Sequence, residues 1–355
     1  MLISHVVSAL PGVPSRMIGT VDVDGNGTPH KLHQVDPFIL LDQATVPKDA
    51  KPDFGMHPHR GHSVVTLLFK GTVRSKDSLH DENEEIIFSG PASCLVEAGS
   101  GLFHDESSVV NDESDYSQRM ALLQLWIGVK EADRKAPPAI HLDTELPVED
   151  IYAFVGRDDD DDNKEPKQDS STAGNVNADT KREPIGFVRY YLGDKTSIAS
   201  RNPITVAYVH QHAGTTYRYP AIDPSHGGFI INLNGSEMLD EDVKGHESSS
   251  PSFAGVQPQK THDVLVLKNT DDDDDDKDKD EQQYIEITTS AKSCGNYLIC
   301  TGERIEEPWA KKLVRSGAII AQTEDEAREI ARKVDAAAES NMDPFKTPVT
   351  TTTTK

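Results

Sequence analysis

The sequence predicts an all-β chain, two β-barrels or sandwiches in tandem with one helix near the C-terminal end. Short apolar or alternating runs recur at close spacing, each bounded by Gly, Pro, Asp or Asn. A polar stretch poor in apolar residues divides them into two sets, and helical periodicity occurs once, late in the chain. At 355 residues the chain suits two domains of roughly 150 residues each.

In the first half the runs are "DPFILLDQA", "SVVTLLFKG", "EEIIFSGP", "SCLVEAGSG" and "MALLQLWIGV", read as strands of an N-terminal barrel over residues 1–156. Residues 157–183, "RDDDDDNKEPKQDSSTAGNVNADTKRE", are an acidic low-complexity linker by composition. The pattern resumes in "IGFVRYYLG", "NPITVAYVHQH", "GGFIINLNGSE", "DVLVLKN", "QYIEIT" and "NYLICTGE", the strands of a C-terminal barrel over residues 184–340. An acidic run at 270–283 interrupts that set and reads as a solvated insertion. In "TEDEAREIARKVDAAAES", Thr323 and Glu326 form a capping box, while Ala327, Ile330, Ala331 and Val334 share the face expected to pack on a barrel. Residues 341–355 read as a disordered tail.

Formal net charge is −24, of which Asp158–Asp162 carry −5 and Asp271–Asp280 carry −6. With no basic patch, such a surface disfavours direct binding to a nucleic acid backbone and fits a basic protein partner better. Cys94, Cys294 and Cys300 are odd in number and lack CxxC spacing, which argues against a disulfide scaffold and a structural zinc site. No run is long enough to span a bilayer, and no basic residue precedes the apolar N-terminal stretch as a signal peptide requires. A cytoplasmic or nuclear location is the expectation.

The chemistry centres on "FGMHPHRGHSVVTLLFKG". If this segment is one extended strand, His57, His59, Ser63, Val65, Leu67 and Phe69 share one parity, apolar in its later part and therefore inward. Two buried imidazoles need a reason to be there, and a metal supplies one. In "AGSGLFHDES", His104 and Glu106 repeat the i, i+2 spacing. An isolated H-x-H is weak evidence, whereas two matched pairs on β-patterned strands are stronger. Three imidazoles and one carboxylate suit a borderline divalent ion: iron, zinc, nickel, copper and manganese are all compatible with that set. By the same parity His62 faces away, and Asp105 points outward. Glu97 is read as a surface or turn residue. His210 and His212, a second H-x-H, have no matching H-x-E and read as partly exposed strand histidines.

"DPFILLDQA", "HPHRG" with "VVTLLFKGTVRSKDSL", "AGSGLFHDE", "LQLWIGV" and "APPAI" resemble the pirin family of the cupin superfamily, and "GERIEEPWAKKLVRSGAIIAQTEDEAREIARKV" resembles its C-terminal region, which wraps back toward the N-terminal domain. The resemblance implies two tandem cupin-type β-barrels and one Fe2+ per chain, other divalent transition metals being possible, held by His57, His59, His104 and Glu106. It also implies a monomer. Where the pirin pattern reads HPHRGFET this chain has "HPHRGHSV", so His62 replaces an aromatic residue and Ser63 a glutamate. On the extended-strand reading Ser63 removes an inward carboxylate, and "GPA" with Leu95 reshapes the pocket. The implied activity is quercetin 2,3-dioxygenase-like cleavage of a flavonol, with Glu106 as the catalytic proton acceptor. The alternative implied function is a redox-sensing transcription coregulator that binds a transcription factor or other basic protein and not DNA.

Overall fold

A computed structural model describes residues 2–7, 15–18, 20–22, 29–31, 35–45, 55–81, 84–109, 120–153, 183–220, 222–240, 242–245, 249–268, 284–315, 317–339 and 345. The linker 157–183 apart from residue 183, the acidic insertion 270–283 and the tail 341–355 apart from residue 345 lie outside the described residues.

The first barrel is built from two sheets. One runs, in spatial order, Ala139–Asp143, Ala92–Glu97, His62–Lys70, Ala121–Gly128, Phe38–Thr45 and Ser15–Ile18. The other runs Ala310–Val314, Gly317–Ala321, His57–Arg60, Leu102–Ser108, Thr72–Asp77 and Ile86–Ser89. The second barrel has a seven-stranded sheet in the order Leu2–Val7, Val264–Lys268, His226–Asn232, Gly295–Glu303, Ile204–Gln211, Gly186–Leu192 and Val148–Ile151. Its facing sheet is three-stranded: Thr216–Pro220, Tyr284–Thr288 and Ser252–Phe253. The all-β reading and the tandem cupin-type barrels are thus what the chain forms.

The ends of the chain are exchanged between the barrels. Leu2–Val7 pairs with Val264–Lys268 in the second barrel, and the hairpin Ala310–Ala321 joins the first through a parallel pairing of Ala318 and Ile319 with His59 and Arg60. Each visiting element covers a sheet edge whose backbone groups would otherwise lack partners.

Central strands of the first barrel are buried on both faces, which explains the run "VVTLLF", apolar except for Thr66, where one buried face would give alternation. Val65, Leu67, Leu95, Leu125 and Ile127 pack with Tyr191, Val206, Phe229 and Leu298 in a core shared by the two barrels. Val64, Leu68, Cys94, Val96 and Trp126 turn the other way, into the first barrel, beside Ala318 and Ile320 of the visiting hairpin. Leu95 therefore belongs to the inter-barrel core and does not shape the pocket, contrary to the sequence expectation.

Helix Glu324–Glu339 lays Ala331 and Val334 on Val314 and Ile319. Its cap is as read from sequence with one shift. Thr323 Oγ1 accepts from the Glu326 backbone N–H (3.2 Å), but the Glu326 carboxylate accepts from the Gln322 N–H (3.2 Å).

Candidate metal centre

His57 and His59 stand two apart on one strand and His104 on its antiparallel neighbour, with His104 directly opposite His57. Alternation puts both histidines of the first pair on one face, and the register brings the third across to them. Ring centroids lie 5.0 Å apart for His57 and His59, 4.5 Å for His57 and His104, and 4.9 Å for His59 and His104. One nitrogen from each of the three falls within 4.8 Å of the others. All three rings are buried.

The hydrogen bonds around these rings leave nitrogens facing inward. His57 Nδ1 donates to the Gly55 carbonyl (2.8 Å), which frees its Nε2 as a lone pair. His59 Nε2 and both ring nitrogens of His104 are buried and have no partner. Buried polar atoms are almost always satisfied, and a cation that took one nitrogen from each ring would satisfy His59 Nε2 and one of the two on His104. Burial lowers the pKa of His57, against opposing effects of the Gly55 bond and Asp105. Burial, then the neighbouring imidazoles, holds His59 and His104 well below the usual histidine range. Neutral imidazoles are the form that ligates a metal.

Glu106 points into the same barrel and is 2% exposed, but both of its oxygens are engaged. Thr66 Oγ1 donates to Oε1 (2.8 Å) and Gln124 Nε2 to Oε2 (3.0 Å), while Gln124 Oε1 accepts from Trp126 Nε1 (3.1 Å). The close cluster of ligand atoms among the described residues comprises the three histidines and does not include Glu106. Burial raises the Glu106 pKa and Asp105 adds to this; the bonds from Thr66 and Gln124 oppose it.

Two sequence expectations are overturned at Gly61. The segment is not one extended strand: Gly61 has φ +77° and separates His57–Arg60 from His62–Lys70, which lie in different sheets. A Cβ at Gly61 would sit 2.2 Å from the Ile320 carbonyl oxygen, so glycine is required there twice over. Parity restarts after it. His62, expected to face away, is fully buried with its ring 5.1 Å from His59 and 5.2 Å from Trp126. Ser63 shares its parity with Val65 and Leu67, toward the inter-barrel core, so its substitution for glutamate removes no carboxylate from the metal side. A glycine inside the H-x-H-R-G motif was the available signal for this reset. Thr66, Gln124 and Trp126 had no signal, because hydrogen bonds between distant strands leave no local pattern.

Glu97 was read as a surface residue and is 4% exposed: it accepts from the Arg201 backbone N–H (3.0 Å) and pairs with the Arg201 guanidinium (3.2 Å), linking the barrels. Asp105 alternates away from His104 and is half-buried. His210 Nδ1 lies 2.9 Å from Asn296 Oδ1 on the second barrel, and His212 is exposed. No helix among the described residues is long and apolar enough to cross a membrane.

Residues 20–127 match the pirin family. A Pseudomonas aeruginosa protein whose name proposes quercetin 2,3-dioxygenase activity is 32% identical over 120 residues, 32% of this chain and 40% of that protein. Human pirin is 22% identical over 249 residues, covering 66% of this chain and 72% of that one. The chain thus spans about two fifths of the length of the bacterial relative. A crystal structure of quercetin 2,3-dioxygenase from Acinetobacter baumannii aligns over 95% of this chain and 97% of its own, with a TM-score of 0.61 and 16% identity, a likeness of fold. This chain's H-x-H and H-x-E pairs lie on facing strands of the first of two cupin-type barrels, inside the stretch that matches the pirin family.

Proposed function

We propose that the chain is a mononuclear Fe2+ protein whose N-terminal barrel has quercetin 2,3-dioxygenase-like activity on a flavonol. The convergence of His57, His59 and His104 with unpartnered buried nitrogens carries this reading. Sequence similarity to proteins named for that activity supports the substrate class. In this reading the three histidines and Glu106 hold the ion. Each Glu106 oxygen accepts one hydrogen bond and keeps a second lone pair to give, so Thr66 and Gln124 orient the carboxylate without exhausting it. Iron, when bound, supplies a Lewis acid that acidifies the flavonol hydroxyl and a redox centre for dioxygen chemistry. Glu106 is the group nominated to accept the hydroxyl proton, although coordination to a cation makes a carboxylate a poorer base than a free one.

The test is elemental analysis of the purified parent and of His104→Ala, with a flavonol-bleaching assay on the same samples. One iron per chain in the parent, little in the variant, and bleaching by the parent alone support the proposal. A parent that takes up no metal after anaerobic loading with ferrous iron overturns it.

The net charge of −24 favours a second reading, in which the iron's oxidation state controls docking of a basic protein such as a transcription factor. Iron uptake without flavonol turnover, together with redox-dependent capture of a basic partner, selects it over the first.

A further inference from the structure

We infer that His62 is a positioning residue for the metal site, locking His59 in the tautomer that presents Nε2 to the ion. The inference rests on the metal-binding reading above and concerns a residue that stands where the pirin pattern has an aromatic.

The proton positions follow by elimination. His62 Nδ1 lies 3.1 Å from the Arg60 carbonyl oxygen, which only accepts, so Nδ1 carries the proton. The ring is fully buried and, among the described residues, no carboxylate bonds to it; the charged group facing it from the visiting hairpin is Lys311, a cation that disfavours an imidazolium. A buried imidazole without an anionic partner stays neutral, so His62 Nε2 is an acceptor only. It lies 3.2 Å from His59 Nδ1, which must therefore donate. His59 then has its lone pair on Nε2, the nitrogen that is buried and unpartnered beside His57 and His104.

The result is a relay from the Arg60 carbonyl through His62 to His59 and on to the ion. It does for His59 what the Gly55 carbonyl does for His57. An acceptor behind a ligating imidazole fixes its orientation and raises its basicity. A phenyl ring at position 62 would keep an aromatic face toward Trp126 but offers no acceptor, leaving the His59 ring free to choose either tautomer. His62 reaches this position because Gly61 turns the chain back at φ +77°.

The experiment compares the parent with His62→Phe and with His62→Gln, which keeps an acceptor near the Nε2 position. Co2+ affinity is measured by competition with a chelator and read from the visible absorption of the bound ion. The expected result is a loss of roughly 10- to 100-fold in affinity for His62→Phe and recovery to within a few-fold of the parent for His62→Gln. A His62→Phe protein that binds Co2+ as tightly as the parent overturns the inference. So does equal weakening in both variants alongside equal loss of melting temperature without metal, which marks a packing role. Nitrogen-15 NMR of the metal-free parent decides independently of either variant: protonation of His59 at Nδ1 supports the relay, and protonation at Nε2 overturns it. If the parent binds no metal, the proposed function fails, while the tautomer measurement still decides the relay.

Discussion

Ala318, close to the C-terminal helix, pairs in parallel with His59 of the candidate metal centre. The hairpin that carries Ala318 approaches the metal strand through two glycines. A Cβ at Gly317 would lie 1.8 Å from the Pro58 carbonyl oxygen, and one at Gly61 would lie 2.2 Å from that of Ile320. Both obstacles are backbone, so neither can swing aside. Gly61→Ala, strained also by its positive φ, is expected to cost about 1–3 kcal/mol or more. Gly317→Ala should cost a similar amount, about 1–3 kcal/mol, by pushing the hairpin off the metal strand. Urea unfolding measures both, and each variant should also bind metal more weakly although neither residue is a ligand.

The metal-free centre holds polar atoms with no partners, at a cost to folding. His104→Leu replaces a buried ring that has two unpartnered nitrogens with an apolar side chain of similar size. The expected outcome is a metal-free protein more stable than the parent by about 1–2 kcal/mol, with metal uptake lost. Thermal unfolding with and without added metal checks both halves. In the parent, metal at about 100 times its Kd should add roughly 2.7 kcal/mol, and in the variant nothing.

Thr66 and Gln124 each give Glu106 one hydrogen bond. Thr66→Val removes one donor from a carboxylate that burial already disfavours in its charged form. A bond to a charged group is worth about 1.5–3 kcal/mol, so the variant should be destabilised by that order at neutral pH. The Glu106 pKa should rise further. Gln124→Leu should do the same and also leave the Trp126 indole N–H without its acceptor, which near-ultraviolet absorption of Trp126 would register.

Asp77 and His80 form an ion pair at 2.8 Å at the end of strand Thr72–Asp77, the antiparallel neighbour of Leu102–Ser108. The hydrogen bond to Asp77, then its charge, raises the His80 pKa above the usual 6.5. A raised pKa in the folded state means that the folded protein holds this proton more tightly than the unfolded one. The stabilisation is therefore fully present below pH 6.5 and is lost as pH rises through the folded pKa. Denaturation at a series of pH values should show His80→Ala differing from the parent at low pH and converging with it at high pH. Proton NMR of the His80 ring should place its midpoint above that of a free histidine.

Strand alternation and the two-residue spacings within His57/His59 and His104/Glu106 are local properties of the chain, which is why an all-β fold and the three clustered histidines were legible without coordinates. The capping box at Thr323 and Glu326 was legible for the same reason. Parity carries only as far as the backbone stays extended, and at Gly61 it does not. The chain leaves one sheet there and enters another, so His62 moved into the site and Ser63 out of it. Leu95 and Glu97 were misplaced because alternation does not say which core lies on each side of a sheet buried on both faces.

What no local pattern contains is the partner from a distant segment. The visit of Ala310–Ala321 to the first barrel, the grip of Thr66 and Gln124 on Glu106, and the relay from Arg60 through His62 to His59 depend on strands brought together by burial of two sheet faces. Residue type and spacing named the candidate ligands. Packing of one sheet against another decided which ring nitrogens converge and which groups hold them there.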